Sequence, residues 1–260
     1  MKPMNGAVLA GRNRLETTMK AASTRHAEAT PSESTRRKRY SSSLRRVFDL
    51  VLMALFLLQM GYLYLPLAAH EALGIALFFA ALAHTVRRRA WFRSLARGRW
   101  PAARVLQALG VVAAFVCMTA LATSGVAMSG ILPFSGLSAW AHEAHLAASH
   151  AALLAFGFHI GTCSAKGPAR SWKENALRTL VLGFWALWAV YGACAFARLN
   201  VMGYLTGAIP FFAVDDTVPF ALALIDYASV MAAAAFAGFL IVRLFRLIRR
   251  QHSKDATGAK

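Results

Sequence analysis

Four histidines hold the arrangement in this sequence that is best suited to chemistry. His70 and His84 are 14 residues apart, and His145 and His159 repeat that interval. From Ala144 to Ile160 there is no Lys, Arg, Asp or Glu. On an α-helix, 14 residues rise roughly 21 Å and return to within about 40° of the starting direction. Each stretch therefore sets two imidazoles on one helix face, one near each side of a bilayer core. Two such helices, side by side and running the same way, would pair His70 with His145 and His84 with His159. Paired imidazoles suit the two axial positions of a metal in a flat macrocycle. The expectation is two non-covalent haems, with paired nitrogens about 4 Å apart, twice a metal–imidazole bond. The competing reading is structural: ionisable residues in membrane spans face a bundle interior, where each imidazole can simply bond a carbonyl.

The elements that must position these rings follow from composition. The chain has 260 residues, of which 58% are hydrophobic and 15% charged, and its mean hydropathy is +0.48. The apolar residues fall in long blocks, as membrane spans require. Cys117, Cys163 and Cys194 are isolated in sequence, which excludes CxxCH attachment of haem and the paired spacings of zinc or iron–sulfur sites. The net charge of +18 raises a nucleic-acid partner, but its distribution argues against one.

Six spans are predicted: 47–66, 70–86, 105–128, 144–162, 177–196 and 218–247. The segment before them, 1–46, is polar, carries eleven Lys/Arg against three Glu, and has no periodic apolar face. It reads as a basic, disordered cytoplasmic segment. Arg87, Arg88, Arg89, Arg93, Arg97, Arg99 and Arg104 lie between spans two and three. Lys166, Arg170, Lys173 and Arg178 flank the loop between spans four and five, and six more Lys/Arg follow or close span six. Only Arg198 is left for the opposite side. The positive-inside rule then puts both termini in the cytoplasm of a bacterial cell, with the chain a multi-pass protein of the inner membrane. Spans two and four run in parallel under this topology, as the histidine pairs need.

Other residues are weighed against these four. His150 lies about 180° around the helix from His159, and His142 about 100° from it, so neither shares its face. His26 and His252 sit in polar tails. Gly74 and Gly157 are candidates to clear space for a macrocycle, although small residues also let membrane helices pack closely. Gly110 and the Ser124-Gly125-Val126 step offer similar room, and Ser149 could bond a backbone carbonyl or steady a ligand. Arg87, Arg88 and Arg89 could meet inner haem propionates or serve as a topology flank alone. Arg198 could meet the outer carboxylates or a propionate. Asp226, before Tyr227, suggests proton or quinol chemistry, or equally a carboxyl bonded to a neighbouring helix.

The stretch 47–162 resembles the flavinylation-associated cytochrome family. The features are His70-Glu71-Ala72-Leu73-Gly74 with His84, the Ser124-Gly125-Val126 step, and His145 with Ser149 and His159. The segment from Phe211 to Asp216, continuing through Ile225-Asp226-Tyr227, is similar to the tail of longer members. The resemblance implies an all-α, cytochrome b-like four-helix core with bis-histidine b-type haems. It also implies electron exchange with an extracytoplasmic flavoprotein carrying covalent FMN. No flavin is expected on this chain, which has no Ser-Gly-Ala-Thr flavinylation motif and no Gly-rich dinucleotide loop.

The expected organisation is a basic segment 1–46, a haem-binding core 47–165, two further helices 166–248 and a tail 249–260. The preferred function is a dihaem electron conduit in the lipid bilayer. A second reading keeps the haems in a quinol-oxidising subunit of a larger complex. A third, of another class, is a haem-free transporter or assembly protein, for which broken spans and a wider internal repeat are the expected signs.

Overall fold

The computed structural model describes residues 33–98, 100–132, 139–165, 172–211 and 217–258. The described residues are helical and contain no strand: α1 Glu33–Met60, α2 Leu67–Arg87, α3 Arg89–Leu95, α4 Ala102–Met128, α5 Ala139–Ser164, α6 Trp172–Arg198, α7 Val201–Leu205 and α8 Phe220–Gly258. The chain divides into two units, 1–51 and 52–260. Of the first, the described part is the amino-terminal portion of α1. Everything below concerns the second unit.

Five helices are long and apolar enough to cross a membrane: Leu67–Arg87, Ala102–Met128, Trp140–Ser164, Thr179–Arg198 and Phe220–Arg249. The sixth expected span, 47–66, does not join them. Its helix ends at Met60, and a separate 3-10 turn covers Tyr62–Tyr64. Two local features account for the break. Gly61 packs against the ring of Phe220, its absent Cβ falling 2.6 Å from that ring. Pro66 caps α2 and holds Leu65 extended, at φ −115° and ψ 138°, as a residue before proline must be. From Val47 to Met60 a helix rises only about 20 Å, short of a core about 30 Å thick, and Asp49 lies within that stretch.

Helix packing centres on α5 and α8, with α4 against α5 and α6 against α8. The sequence explains the closeness of the α5–α8 seam. Gly157 and Gly161 stand one turn apart on α5, and a Cβ at either would strike the backbone carbonyl of Met231 or Ala235 on α8. Gly238 returns the fit, its missing Cβ lying 2.7 Å from the carbonyl oxygen of Phe158. On the other flank Gly192 of α6 meets the backbone at Ser229. In lipid the hydrophobic effect gives helices no reason to associate, so close backbone approach through small residues is the main source of cohesion. Leu153, Val230 and Val242 are fully buried along this seam.

The described parts of α1 and α2 attach more loosely, through side chains. Phe56 packs edge-on to Phe156 at 4.7 Å, and Tyr64 donates to the carbonyl of Val218 at 2.5 Å. Gln59 donates to the carbonyl of His70 at 3.0 Å. The backbone of α2 does not pack closely on α5. It meets its expected neighbour, span four, where the ring of His70 reaches that of His145.

After α6 the chain turns through Asn200, whose φ of 47° is left-handed, a conformation Asn tolerates better than most residues. That turn starts α7 and lays Tyr204 flat on His150, with ring centroids 4.2 Å apart and planes 9° apart. Asp226, nearly buried on α8, accepts from Arg198 at 2.6 Å and from Tyr191 at 2.7 Å, both on α6. A buried carboxylate needs such partners. Of the two readings of Asp226, this is the one in which a carboxyl ties neighbouring helices together. Arg198 likewise has its carboxylate. Asp215 and Asp216 lie outside the described residues, as do Lys166 and Arg170.

Candidate functional site

The first histidine pair meets across the gap between α2 and α5. The rings of His70 and His145 have centroids 6.3 Å apart and planes at 69°. A metal–imidazole bond is about 2.0–2.1 Å. A five-membered ring with sides near 1.35 Å places its nitrogens about 1.15 Å from its centre. Two imidazoles on opposite sides of one metal therefore have centroids about 6.3 Å apart. Their planes are free to take any angle about that axis.

The surroundings fix the chemistry of His145. Ser124 of α4 donates its hydroxyl proton to the carbonyl of Ala120 at 2.6 Å. Its oxygen lies 3.0 Å from Nδ1 of His145 and, with its proton committed, accepts from Nδ1–H. Nε2 is thereby left with a lone pair, the state a metal ligand needs, and the ring is oriented by a hydrogen bond as ligating imidazoles are. Gly125 supplies the room: a Cβ there would sit 3.6 Å from Cε1 of His145. Of the two readings of Ser149, the bond to a backbone carbonyl is the one present: its hydroxyl donates to the carbonyl of Leu146 at 2.8 Å. The partner of His145 comes from another helix, which spacing along α5 cannot disclose. The Ser124-Gly125 step was the available signal.

His70 is held differently. Tyr62 packs edge-on to it at 5.0 Å, and Gln59 fixes its backbone carbonyl. Its Nδ1 is buried without a hydrogen-bond partner among the described residues, and a buried polar atom of that kind calls for a ligand or a water. The adjacent Glu71 fastens the turn after α4. It accepts from Ser129 at 2.8 Å, from the amide of Gly130 at 3.1 Å and from that of Ile131 at 3.1 Å. Glu71 thus ties the start of α2 to the end of α4, the helix that supplies Ser124, and so positions both sides of the pair.

The second pair is placed less fully. His84 lies in the last turn of α2. His159 is half-buried on α5, its backbone so near Gly110 that a Cβ there would meet its Cα at 3.4 Å. Both histidines have interacting neighbours. The two glycines that the sequence left open both face neighbouring helices. Gly157 does not clear space on the histidine face; it is part of the α5–α8 seam, because its open side points at Met231. Gly74 opens toward α1, where an added Cβ would fall 2.8 Å from Nε2 of Gln59.

His150 and His142 are set apart from the pair. His150 is fully buried between Tyr204 and Tyr227, and its Nδ1 meets the carbonyl of Leu146 at 2.8 Å. It faces α7 and α8, away from His70. His142 is exposed. Among the described residues no disulfide joins Cys117, Cys163 or Cys194, and Cys163 and Cys194 are exposed. Among the described residues no cluster of three or more His, Cys, Asp or Glu is placed to hold a metal ion. What the site offers is two imidazoles with ring centroids 6.3 Å apart, a donor set that would suit a metal whose remaining ligands came from its own macrocycle.

The fold defines an all-helical protein with five helices able to cross a membrane. No family model matches the chain, and neither a curated protein nor a solved structure matches it.

Proposed function

We propose that the chain is a membrane b-type cytochrome that moves electrons across or within the bilayer, with His70 and His145 as the axial ligands of an outer haem. His84 and His159 are the ligands of an inner one. The observation that carries this reading is the 6.3 Å separation of the His70 and His145 rings, and the Ser124 hydroxyl 3.0 Å from Nδ1 of His145 supports it. Haem, when bound, supplies reversible one-electron chemistry. The chain's own residues do the rest. His70 with His145, and His84 with His159, would each hold one haem, and a haem held by two imidazoles would pass electrons rather than bind small ligands. Ser124 orients one ring, Glu71 fixes the loop that brings the helices into register, and the apolar α5 excludes water from the path. The resemblance to flavinylation-associated cytochromes adds an extracytoplasmic FMN flavoprotein as the exchange partner. Asp226 is engaged by Arg198 and Tyr191, which favours the conduit over the quinol-oxidising reading.

The proposal includes six crossings, with both termini cytoplasmic. Support comes from parity. The basic groups between α2 and α4, between α5 and α6, and at the end of α8 fall on one side with five crossings alone. The eleven Lys/Arg of residues 1–46 join that side only if the stretch 47–65, the end of α1 with the turn to Leu65, crosses as well. Reporters fused at Met1 and at Lys260 should both read as cytoplasmic. A Met1 reporter that reads as extracytoplasmic removes the sixth crossing.

The test of function is spectral. Purified full-length protein should show a reduced-minus-oxidised haem spectrum, and a pyridine haemochrome of about two b-type haems per chain, in keeping with two bis-histidine sites. Protein that folds and purifies with neither signal excludes the cytochrome reading.

A further inference from the structure

A second site lies at the other end of the bundle. Between α3, the start of α4 and the end of α8 is a cavity of about 580 Å³, within the range of small-molecule sites. Arg93, Arg97, Arg104 and Arg246 line it, with Trp91 and Gln107. No Asp or Glu does.

The four arginines are prepared in different ways. Arg104 donates to the carbonyls of Arg97, at 3.1 Å, and of Ser94, and it lies over the ring of Trp100 at 5.3 Å. Arg246 donates to the carbonyl of Ala165. These two guanidinium groups are fixed before any ligand arrives, and each keeps further N–H donors. Among the described residues no hydrogen bond or ion pair engages the side chains of Arg93 and Arg97, both exposed. Gln107 ties the floor to α5 through the carbonyl of Thr162 at 3.0 Å. The wall is anchored too, with Phe92 against Phe115 at 6.1 Å.

The level of the cavity indicates its ligand. Arg104 and Gln107 lie in the first turns of one membrane-length helix, and Arg246 lies in the last turn of another. Trp91 and Trp100 flank them, as aromatic residues do at headgroup depth. A cluster of arginines in a fork geometry, free of acidic neighbours, matches a phosphate group. Basic pockets between membrane helices on the cytoplasmic side take phospholipid headgroups in this way.

We propose that this cavity binds a phosphate group, carried either by an anionic phospholipid or by a small soluble phosphate ester. The site lies away from the His70–His145 pair, and the proposal stands whether or not the chain carries haem.

The experiment uses full-length protein in nanodiscs of phosphatidylcholine, with and without phosphatidylglycerol. Lipid retained after transfer to detergent is measured by native mass spectrometry, and glycerol phosphate is titrated against tryptophan fluorescence in parallel. The R93Q/R97Q variant is compared with a charge-matched control, R45Q/R249Q, at exposed positions outside the cavity. Wild type should retain phosphatidylglycerol over phosphatidylcholine, and R93Q/R97Q should reduce that preference roughly tenfold or more, while the control leaves it unchanged. Binding of glycerol phosphate that R93Q/R97Q alone abolishes, without lipid preference, supports the same site with a soluble ligand. Two results overturn the proposal: neither ligand is preferred by wild type, or both variants reduce binding equally. If the double variant does not purify, R93Q and R97Q taken singly should each show part of the loss, and wild-type behaviour in both overturns the site.

Discussion

Replacement of His145 by alanine is expected to lower haem content from two per chain to about one, with the outer haem lost. His70→Ala should do the same, and His84→Ala or His159→Ala should remove mainly the inner haem. Loss of one axial imidazole opens a coordination position, so retention falls and the spectrum of any residual haem changes. Ser124→Ala makes the graded test. It removes the oxygen that accepts from Nδ1 of His145, so haem should remain but bind about 10- to 100-fold more weakly, the usual cost of losing an orienting partner. His150→Ala is the control, because its ring lies between Tyr204 and Tyr227. Its haem content should stay near wild type, although truncating a fully buried ring costs about 2–4 kcal/mol of stability. Haem stoichiometry must therefore be taken on folded, monodisperse protein. Should His150→Ala lose a haem while His145→Ala keeps both, the assignment of ligands on α5 is wrong.

The separation of His145 from His150 was legible in the sequence because helical geometry is local. Five residues along a helix turn about 140°, so the two rings fall on different flanks whatever packs around them. The membrane-length helices were legible for a similar reason. Their apolar runs are long and uninterrupted, and the observed α4, Ala102–Met128, extends the expected 105–128 by less than a turn. The first expected span shows the limit. Hydropathy continues through Leu63 and Leu65, so composition alone sees one element. The break at Gly61 depends on the ring of Phe220, which arrives from far along the chain.

The partner of His145 was hidden for the same kind of reason. Ser149 and Ser124 are equally plausible hydroxyls in sequence, and only the docking of α4 on α5 chooses between them. Gly157 illustrates a different ambiguity. A glycine beside a ligating histidine looks the same whether it clears space for a macrocycle or for another helix. The discriminating sign was Gly161, one turn on. Two small residues at that interval form a stripe for helix packing. Gly157 and His159 are two positions apart and so point about 160° apart. A glycine turned toward α8 is therefore consistent with a histidine turned away from it.

That stripe leads to the other large effect. Gly161→Ala is expected to destabilise the protein by about 3 kcal/mol or more, above the ordinary range for an added methyl in a packed core. The new Cβ would fall on the backbone of Ala235, within bonding range of its carbonyl oxygen. Backbone cannot rotate aside as a side chain can, so α5 and α8 must separate. Separation strips contacts along the whole seam, including Leu153 and Val230. Gly192→Ala should behave likewise at Ser229, loosening α6 from α8. Gly183→Ala on the same helix is the contrast, since nothing lies within 4 Å of its missing Cβ. There alanine should be neutral or stabilise by up to about 1 kcal/mol through helix propensity. Thermal unfolding in detergent, followed by helical circular dichroism, measures all three. The order Gly183→Ala above wild type, with Gly161→Ala and Gly192→Ala well below it, is the expected result. A Gly161→Ala protein as stable as wild type would mean that α5 and α8 do not meet backbone to backbone. The orientation of Gly157, and with it the outward direction of His159, would then lose its basis.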